Sequence, residues 1–355
     1  MSDSETSRFV HPLSRQVPMK PIEEIYWLRF YGCLAVFSFH LLDRLNQHHD
    51  NVYLDLLRIP TVVGTPTFIF MSTFLFSMRY ASRIPDGFLS RRIVYVLVPY
   101  VAYGLIYSVG NSVGRKMEGG DSQLVNNLVE YLLFAGWHGY FLLIAVQFYF
   151  LYWLFVRFEL ERALPPGPWL IVGSLISAGY WCLGYWLAWE PPGYLSWIVP
   201  LGWIYVFFLA LLLARHYPRL GQVKALRTLS HPGWLGACLV LLVVLTLPDW
   251  LEYSSKEPWV VPLFVIYILV MMRYLHGRPA TPWVKKVNEY SFGIYLAHPL
   301  FFSLVDVANG WWDLGPLPYT LLMILIGLAG SVGLNMAANR FELGGLLFGK
   351  RLVIH

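Results

Sequence analysis

The sequence predicts an all-α integral membrane protein, a bundle of about ten transmembrane helices with both termini in the cytoplasm. Apolar residues make up 57% of the 355 residues and charged residues only 13%, and the mean hydropathy is +0.53. About ten windows reach the roughly 20 residues that an apolar helix needs to cross a bilayer. Twenty of the 26 Lys and Arg residues fall in alternate connecting segments, the distribution that the positive-inside rule describes.

The predicted spans follow one another with short connections. They cover residues 22–42, 60–80, 92–112, 137–156, 168–189, 195–214, 233–248, 258–275, 289–308 and 317–339. An even number of spans places polar tails at 1–21 and 346–355 on the same, cytoplasmic side of a transmembrane domain at 22–345. The first tail lacks the apolar core of a signal peptide, so the first span is predicted to stay attached.

The remaining composition excludes several classes of protein. The net charge of +5 does not indicate a nucleic-acid partner, because the basic residues are spread over loops rather than gathered on one face. The three cysteines all fall within spans, so no disulfide framework is expected. His48 and His49 lack the i, i+4 spacing of a helical metal site, which favours a solvated loop, and no metal is expected. Residues 113–136 carry an amphipathic pattern that predicts a helix along the outer surface.

The first span contains two polar side chains that are costly inside a bilayer. Arg29 and His40 are eleven residues apart, three turns plus about 20°, so they share one helix face about 16 Å apart along the axis. An arginine at membrane depth costs about 2.5–3.5 kcal/mol and faces a protein interior or a wet cavity. An imidazole near the outer leaflet can act as a general base. A hydrogen-bonded structural histidine is the alternative, and the shared face favours catalysis.

A basic pair, Arg91 and Arg92, begins the third span at its cytoplasmic end, shortly before Pro99. Two interpretations stay open. Adjacent basic residues at a span end commonly fix topology. Arginine's forked donors also suit the phosphates of a cytoplasmic cofactor.

Two further histidines lie at predicted membrane depth. His138 begins the fourth span at the outer level of His40, where it can bind a sugar hydroxyl, support His40 or simply lie at the interface. His298 precedes Pro299 in the middle of the ninth span, a costly combination in a membrane. It either stabilises a distorted helix or belongs to a polar path. Gly64, which opens the second span, predicts close helix packing, with a cavity-lining role as the alternative.

Several of these motifs together resemble the acyltransferase 3 family, integral membrane enzymes that acylate extracytoplasmic sugars. The resemblance rests on the Arg29-to-His40 spacing, the basic pair before Pro99, and Ser291-Phe-Gly-Ile-Tyr-Leu-Ala-His298. It covers about 22–345. Three further motifs resemble the intercellular adhesin branch, whose members are described as O-acylating (succinylating) poly-β-1,6-N-acetylglucosamine or as exporting it. They are Gly64-Thr65-Pro66-Thr67-Phe68-Ile69, Gly136-Trp137-His138-Gly139-Tyr140-Phe141 with Gln147-Phe148, and Ile294-Tyr295-Leu296-Ala297-His298-Pro299.

The resemblance implies a role for each candidate residue. His40 is the implied catalytic histidine with Arg29 as its donor-side companion, and the basic pair at 91–92 is the implied contact to the phosphates of acyl-CoA. His138, Tyr295 and His298 are the implied substrate-binding residues. One departure concerns the second span, where many family members have Ser-Gly-Phe-Leu and this chain has Ser72-Thr73-Phe74-Leu75.

The implied activity is transfer of an acetyl or succinyl group from cytoplasmic acyl-CoA to an extracytoplasmic polysaccharide at a bacterial cell membrane. Membrane lipids and a neighbouring membrane glycosyltransferase are further candidate partners. The alternative is a polysaccharide channel or flippase without chemistry. A transporter is expected to show inverted repeats and paired broken helices. This chain shows no repeated halves, which favours the enzyme.

Overall fold

The computed structural model describes residues 22–49, 51–80, 84–85, 87–117, 119–187, 191–247, 253–341 and 344–348, without the side chains of Arg91 and Tyr185. The predicted tail at 1–21, and that at 346–355 beyond residue 348, lie outside these residues. The described part of the chain consists of helices and connecting turns, with no strand. The helices are α1 (Glu23–His49), α2 (Val52–Arg58), α3 (Gly64–Arg79), α4 (Phe88–Met117), α5 (Leu124–Leu133), α6 (Tyr140–Arg157), α7 (Pro166–Trp186), α8 (Ile204–His216), α9 (Lys224–Leu229), α10 (Pro232–Thr246), α11 (Val260–Leu275), α12 (Pro282–Trp312), α13 (Pro316–Ala338) and α14 (Gly344–Leu347).

Ten of these helices each overlap one predicted span, although α8 begins at Ile204 rather than at residue 195, because residues 192–203 form turns and a short 3-10 helix. In the described chain, seven segments are long and apolar enough to cross a membrane, and they contain α1, α3, α4, α6, α8, α12 and α13. Helix α7 has 21 residues, and the apolar helices α10 and α11 have 15 and 16. The prediction of an all-α membrane protein is confirmed. The number of spans and the side of the termini stay predictions.

Three helices, α1, α4 and α12, are longer than their predicted spans because polar residues continue each of them beyond the apolar window. Helix α1 runs on from residue 42 to His49, and its outer end is fixed by a 3.2 Å ion pair between Arg44 and Asp306 of α12. Helix α12 begins at Pro282 rather than at residue 289, since Thr281 caps it by accepting a hydrogen bond from the Val284 amide. A capping threonine followed by proline is a strong helix start.

A close contact between α1 and α3 positions the face that carries the two predicted site residues. A Cβ on Gly64 would lie 2.6 Å from Val36 Cγ2 and 3.0 Å from the Val36 backbone nitrogen. Glycine is therefore required for the observed approach of the two backbones. The expectation that Gly64 permits close helix packing is confirmed.

The predicted amphipathic helix is also present, as α5. Asn127 is buried there and donates to Ser112 Oγ at 2.9 Å, while Val125 is 72% exposed. The buried amide attaches α5 to α4, and the opposite face remains apolar and open.

A buried carboxylate that the sequence did not single out anchors the inner end of α1. Glu24 is 1% exposed and accepts hydrogen bonds from the Tyr217 hydroxyl at 2.8 Å and the Gly277 amide at 3.0 Å. Its other close neighbour is His276 Nδ1 at 2.8 Å. These contacts hold the start of α1, five residues before Arg29, against two connecting segments.

Candidate active site

Three histidine side chains from distant parts of the chain meet in one cluster. His40 of α1 lies 5.2 Å from His298 of α12 and 5.9 Å from His138, which precedes α6, measured between ring centroids. The remaining pair, His138 and His298, is 6.0 Å apart. The sequence could place His138 only at the level of His40 and gave no contact for His298. Within the described residues, no group of three His, Cys, Asp or Glu is arranged to hold a metal ion.

Hydrogen bonding fixes the orientation of the most buried imidazole. His298 is 0% exposed, and its Nδ1 lies 2.8 Å from the Ile294 carbonyl oxygen. A carbonyl can only accept, so the neutral ring carries its proton on Nδ1 and leaves Nε2 as an acceptor. Among the described residues, Nε2 of His298 and Nε2 of His138 have no hydrogen-bond partner. Buried polar atoms are normally paired, and two unpaired nitrogens in one cluster mark a functional site.

The proline after His298 does not end the helix. Helix α12, which is 31 residues long, continues through Pro299. Proline has no amide hydrogen, so it cannot donate to the Tyr295 carbonyl one turn earlier. That carbonyl lies near the imidazoles of both His138 and His298. The proline therefore exposes a backbone acceptor inside the cluster.

Tyr295 attaches α12 to the turn that carries His138. Its hydroxyl donates to the His138 carbonyl oxygen. One residue further along α12, the Leu296 carbonyl accepts from the Tyr107 hydroxyl of α4 at 2.7 Å. The Tyr295 hydroxyl thus has a positioning contact, and the side of its ring is available to a ligand.

A cavity of about 200 Å³ opens beside His40 on the predicted outer side. The predicted site residues His40, His138 and Tyr295 line it, while His298 lies behind them. Its other walls supply hydroxyl groups, aromatic rings, apolar groups and two charges, and they comprise Val36, Phe39, Asp43, Thr61, Val62, Thr65, Tyr140, Tyr194, Trp197, Ser255 and Lys256. A concave surface with mixed aromatic and hydroxyl groups suits a polar ring-shaped ligand.

The negative charge in the cavity wall is already paired. Asp43 Oδ1 lies 2.8 Å from Arg58 Nη2, and Nη1 of the same guanidinium lies 3.1 Å from Asp55. Burial raises the pKa of the nearby Tyr194 to about 12, so its hydroxyl is neutral at physiological pH. Asp43 and Lys256 escaped sequence reasoning. The only signal was the position of Asp43 one turn after His40.

The inner half of the bundle brings two predicted arginines together. Arg29 of α1 and Arg92 of α4 both interact electrostatically with the Tyr149 hydroxyl of α6. The Arg92 guanidinium also lies 5.2 Å above the ring of Phe76, which itself lies 4.8 Å from the Tyr149 ring. The side chain of Arg91 lies outside the described part of the structure. Arg92 is thus linked to Tyr149 through Phe76, and Arg29 lies in the same region of the bundle.

Arg29 has no ion pair with any carboxylate of the described residues. Its guanidinium lies near the hydroxyls of Tyr26 and Tyr149 instead. Thr73 is the residue at which the second predicted span departs from the resemblance described above. Its side chain is 1% exposed, and its hydroxyl has no described partner. Among the described residues, no carboxylate forms an ion pair with Arg29 or Arg92, and such uncompensated positive charge suits an anionic ligand.

Taken together, these features define an integral membrane protein in which one helix, α1, carries His40 at a histidine-lined cavity and Arg29 three turns away from it. A family model described as an acyltransferase domain matches residues 22–336. The chain belongs to this acyltransferase 3 family.

Several relatives whose names state a function align with nearly the whole chain. The putative membrane-bound acyltransferase YfiQ of Bacillus subtilis is 26% identical over 350 residues, 93% of this chain and 94% of that protein. A probable poly-beta-1,6-N-acetyl-D-glucosamine export protein of Staphylococcus aureus is 24% identical over 366 residues, 94% of this chain and 97% of that protein. Its Staphylococcus epidermidis counterpart is 24% identical over 355 residues, 92% and 94% of the respective chains. No solved structure matches.

Proposed function

We propose that the protein is a membrane O-acyltransferase that moves an acetyl or succinyl group from cytoplasmic acyl-CoA to an extracytoplasmic polysaccharide such as poly-N-acetylglucosamine. One observation carries the proposal: a single unbroken helix, α1, presents His40 to the histidine-lined cavity and carries Arg29, which has no ion pair with a described carboxylate, three turns towards the predicted inner side. The two side chains are about 16 Å apart along that helix, a distance that an extended pantetheine arm can cover. A donor held from the inside can therefore meet an acceptor held from the outside.

On the acceptor side, His40 is the general base. It removes the proton from a sugar hydroxyl in the cavity while that oxygen bonds to the carbonyl carbon of the thioester. The carbon–sulfur bond then breaks, and His40 returns the proton to the departing thiolate of coenzyme A. His298 positions His40, because its own ring is fixed by the Ile294 carbonyl and its free Nε2 belongs to the cluster. His138 and the side of the Tyr295 ring contact the sugar.

On the donor side, the arginines bind the phosphates and orient the donor. A guanidinium offers a planar fork of donors that matches phosphate oxygens. Arg91 and Arg92 bind the nucleotide end at the inner surface. Arg29 lies deeper in the bundle, where it stabilises charge on the donor along its path.

Replacing Arg91 and Arg92 with glutamine is expected to raise the KM for acyl-CoA by about ten-fold or more and to change kcat by less than about three-fold. Contacts to the non-reacting phosphates stabilise the bound substrate and the transition state equally, so their loss weakens binding rather than chemistry. Steady-state kinetics at varied acyl-CoA with saturating oligosaccharide measure both constants. The control is Arg162→Gln, which removes an 87% exposed arginine paired with Glu159. An unchanged KM with a collapsed kcat contradicts the assignment.

The second candidate is export of the polysaccharide without chemistry, because two of the relatives carry that function in their names. Analysis of polymer from cells with and without the gene separates the two functions. An enzyme deletion leaves secreted polymer that lacks ester groups. Polymer retained inside the cell with its ester content unchanged supports export. A membrane glycosyltransferase that makes the polymer is a proposed partner in either case, and membrane lipids surround the bundle.

A further inference from the structure

Lys256 carries the second charge of the cavity beside His40, and aromatic rings hold it in place. Its Nζ lies 3.5 Å from the centroid of the Trp197 ring and 5.4 Å from that of Tyr140. Tyr194 stacks on Trp197 with the centroids 3.7 Å apart. Because the Lys256 ammonium and the Tyr194 ring both lie this close to the centre of the Trp197 ring, they must cover opposite faces of the indole. Cation–π contacts therefore hold the ammonium at the cavity wall.

No internal anion neutralises this ammonium among the described residues. Asp43, the carboxylate of the cavity, is paired with Arg58 at 2.8 Å and accepts from Gln47 Nε2 at 3.1 Å. Lys256 takes part in no ion pair with a described carboxylate, and its recorded partners are aromatic faces. A ligand in the cavity therefore meets a fixed positive charge and a carboxylate that is already compensated.

We propose that Lys256 determines the charge of the acceptor, so that the cavity binds sugars whose amino group is acylated and rejects sugars with a free, protonated amine. This inference rests on the proposed function for the identity of the cavity ligand. The carbonyl oxygen of an N-acyl group can accept a hydrogen bond from the ammonium. A second cation in a cavity of about 200 Å³ is repelled at short range, where water screens it only partly.

The experiment measures binding rather than turnover. Purified protein in detergent is titrated, by calorimetry, with a β-1,6-linked N-acetylglucosamine oligosaccharide and with its de-N-acetylated counterpart of the same length. The pH is set to about 6, below the range in which amino groups of this type lose their proton. The unaltered protein is expected to bind the N-acetylated sugar about ten-fold more tightly or better. Added salt should narrow that difference.

Two substitutions and one control make the test specific. Lys256→Gln should bring the two affinities within about three-fold of each other, and Lys256→Glu should reverse the order. Lys116→Gln removes an exposed lysine at the end of α4, outside the cavity lining, and should keep the preference of the unaltered protein. Thermal unfolding of each variant identifies any that fail to fold, and the glutamine variant carries the test if the glutamate variant does not fold.

Each outcome decides for or against the inference. Equal binding of both sugars by the unaltered protein, binding of neither, or a preference that survives in Lys256→Gln overturns it. The binding readout also separates it from the proposed function. If Lys256→Gln loses the preference for the N-acetylated sugar and the unaltered protein never forms an ester, the charge selection is supported and the acyl transfer is refuted. If the protein forms the ester and Lys256→Gln still prefers the N-acetylated sugar, the charge selection is refuted and the acyl transfer is not.

Discussion

Replacing His40 with alanine is expected to reduce acyl transfer by about 10²–10⁴-fold, the range that general acid–base catalysis contributes. Without the imidazole, no group at this position of the cavity accepts the proton of the sugar hydroxyl. The fold should survive, because the His40 side chain is only half-buried and its recorded contacts are ring contacts to Phe39, His138 and His298. The measurement is ester formation on an oligosaccharide by purified protein, with size-exclusion profile and Tm recorded for each variant.

His49→Ala is the matched control, since His49 is an exposed histidine at the end of the same helix. It should retain full activity. Cells that carry the His40→Ala variant should still secrete polymer, but without ester groups. Near-normal ester formation in this variant would show that His40 is not the base.

Replacing Arg29 with glutamine is expected to lower kcat by about 10²–10³-fold, the loss that follows removal of one preorganised charge-stabilising donor. Arg29→Lys should retain part of the activity, since it keeps the charge but loses the planar fork. Stability should stay the same or rise. An arginine at membrane depth without a described carboxylate partner costs about 2.5–3.5 kcal/mol, so a functional role predicts that its removal does not weaken the fold.

The stability readout distinguishes this role from a structural one. If Arg29 holds helices together, Arg29→Gln should lower Tm together with activity. A loss of activity with an unchanged or higher Tm supports the functional role. Full activity in the glutamine variant contradicts it. Tyr149→Phe, which removes the hydroxyl that both Arg29 and Arg92 approach, is a useful companion variant in the same assay.

The helices could be predicted from the sequence because a membrane span has to satisfy its own backbone hydrogen bonds and present an apolar surface of fixed length. Hydropathy reports both requirements locally. Hydropathy underestimated the lengths of α1 and α12, because the ends of these helices depend on long-range or capping contacts. Arg44 reaches Asp306 across 262 positions of sequence, and Thr281 starts α12 eight residues before the predicted span at 289–308.

From the sequence, only the relative positions of site residues on the same helix could be predicted. The relation of Arg29 to His40 follows from helical periodicity alone. The meeting of His40 with His298, and the placing of both Arg29 and Arg92 in the region of Tyr149, depend on how separate helices pack. No local pattern encodes that packing. Lys256 lies in a connecting segment, where neither hydropathy nor periodicity gives a signal.

The most direct test places the donor and the acceptor on opposite sides of a membrane. Purified protein is reconstituted into liposomes with labelled acyl-CoA sealed inside and an N-acetylglucosamine oligosaccharide added outside. Proteolysis of the exposed loops measures the fraction of molecules in each orientation. Transfer across one membrane predicts labelled ester on the outer oligosaccharide in proportion to the molecules whose histidine cavity faces outward, and none with His40→Ala. Oligosaccharide that enters the liposomes without any ester being formed would contradict it and establish transport instead.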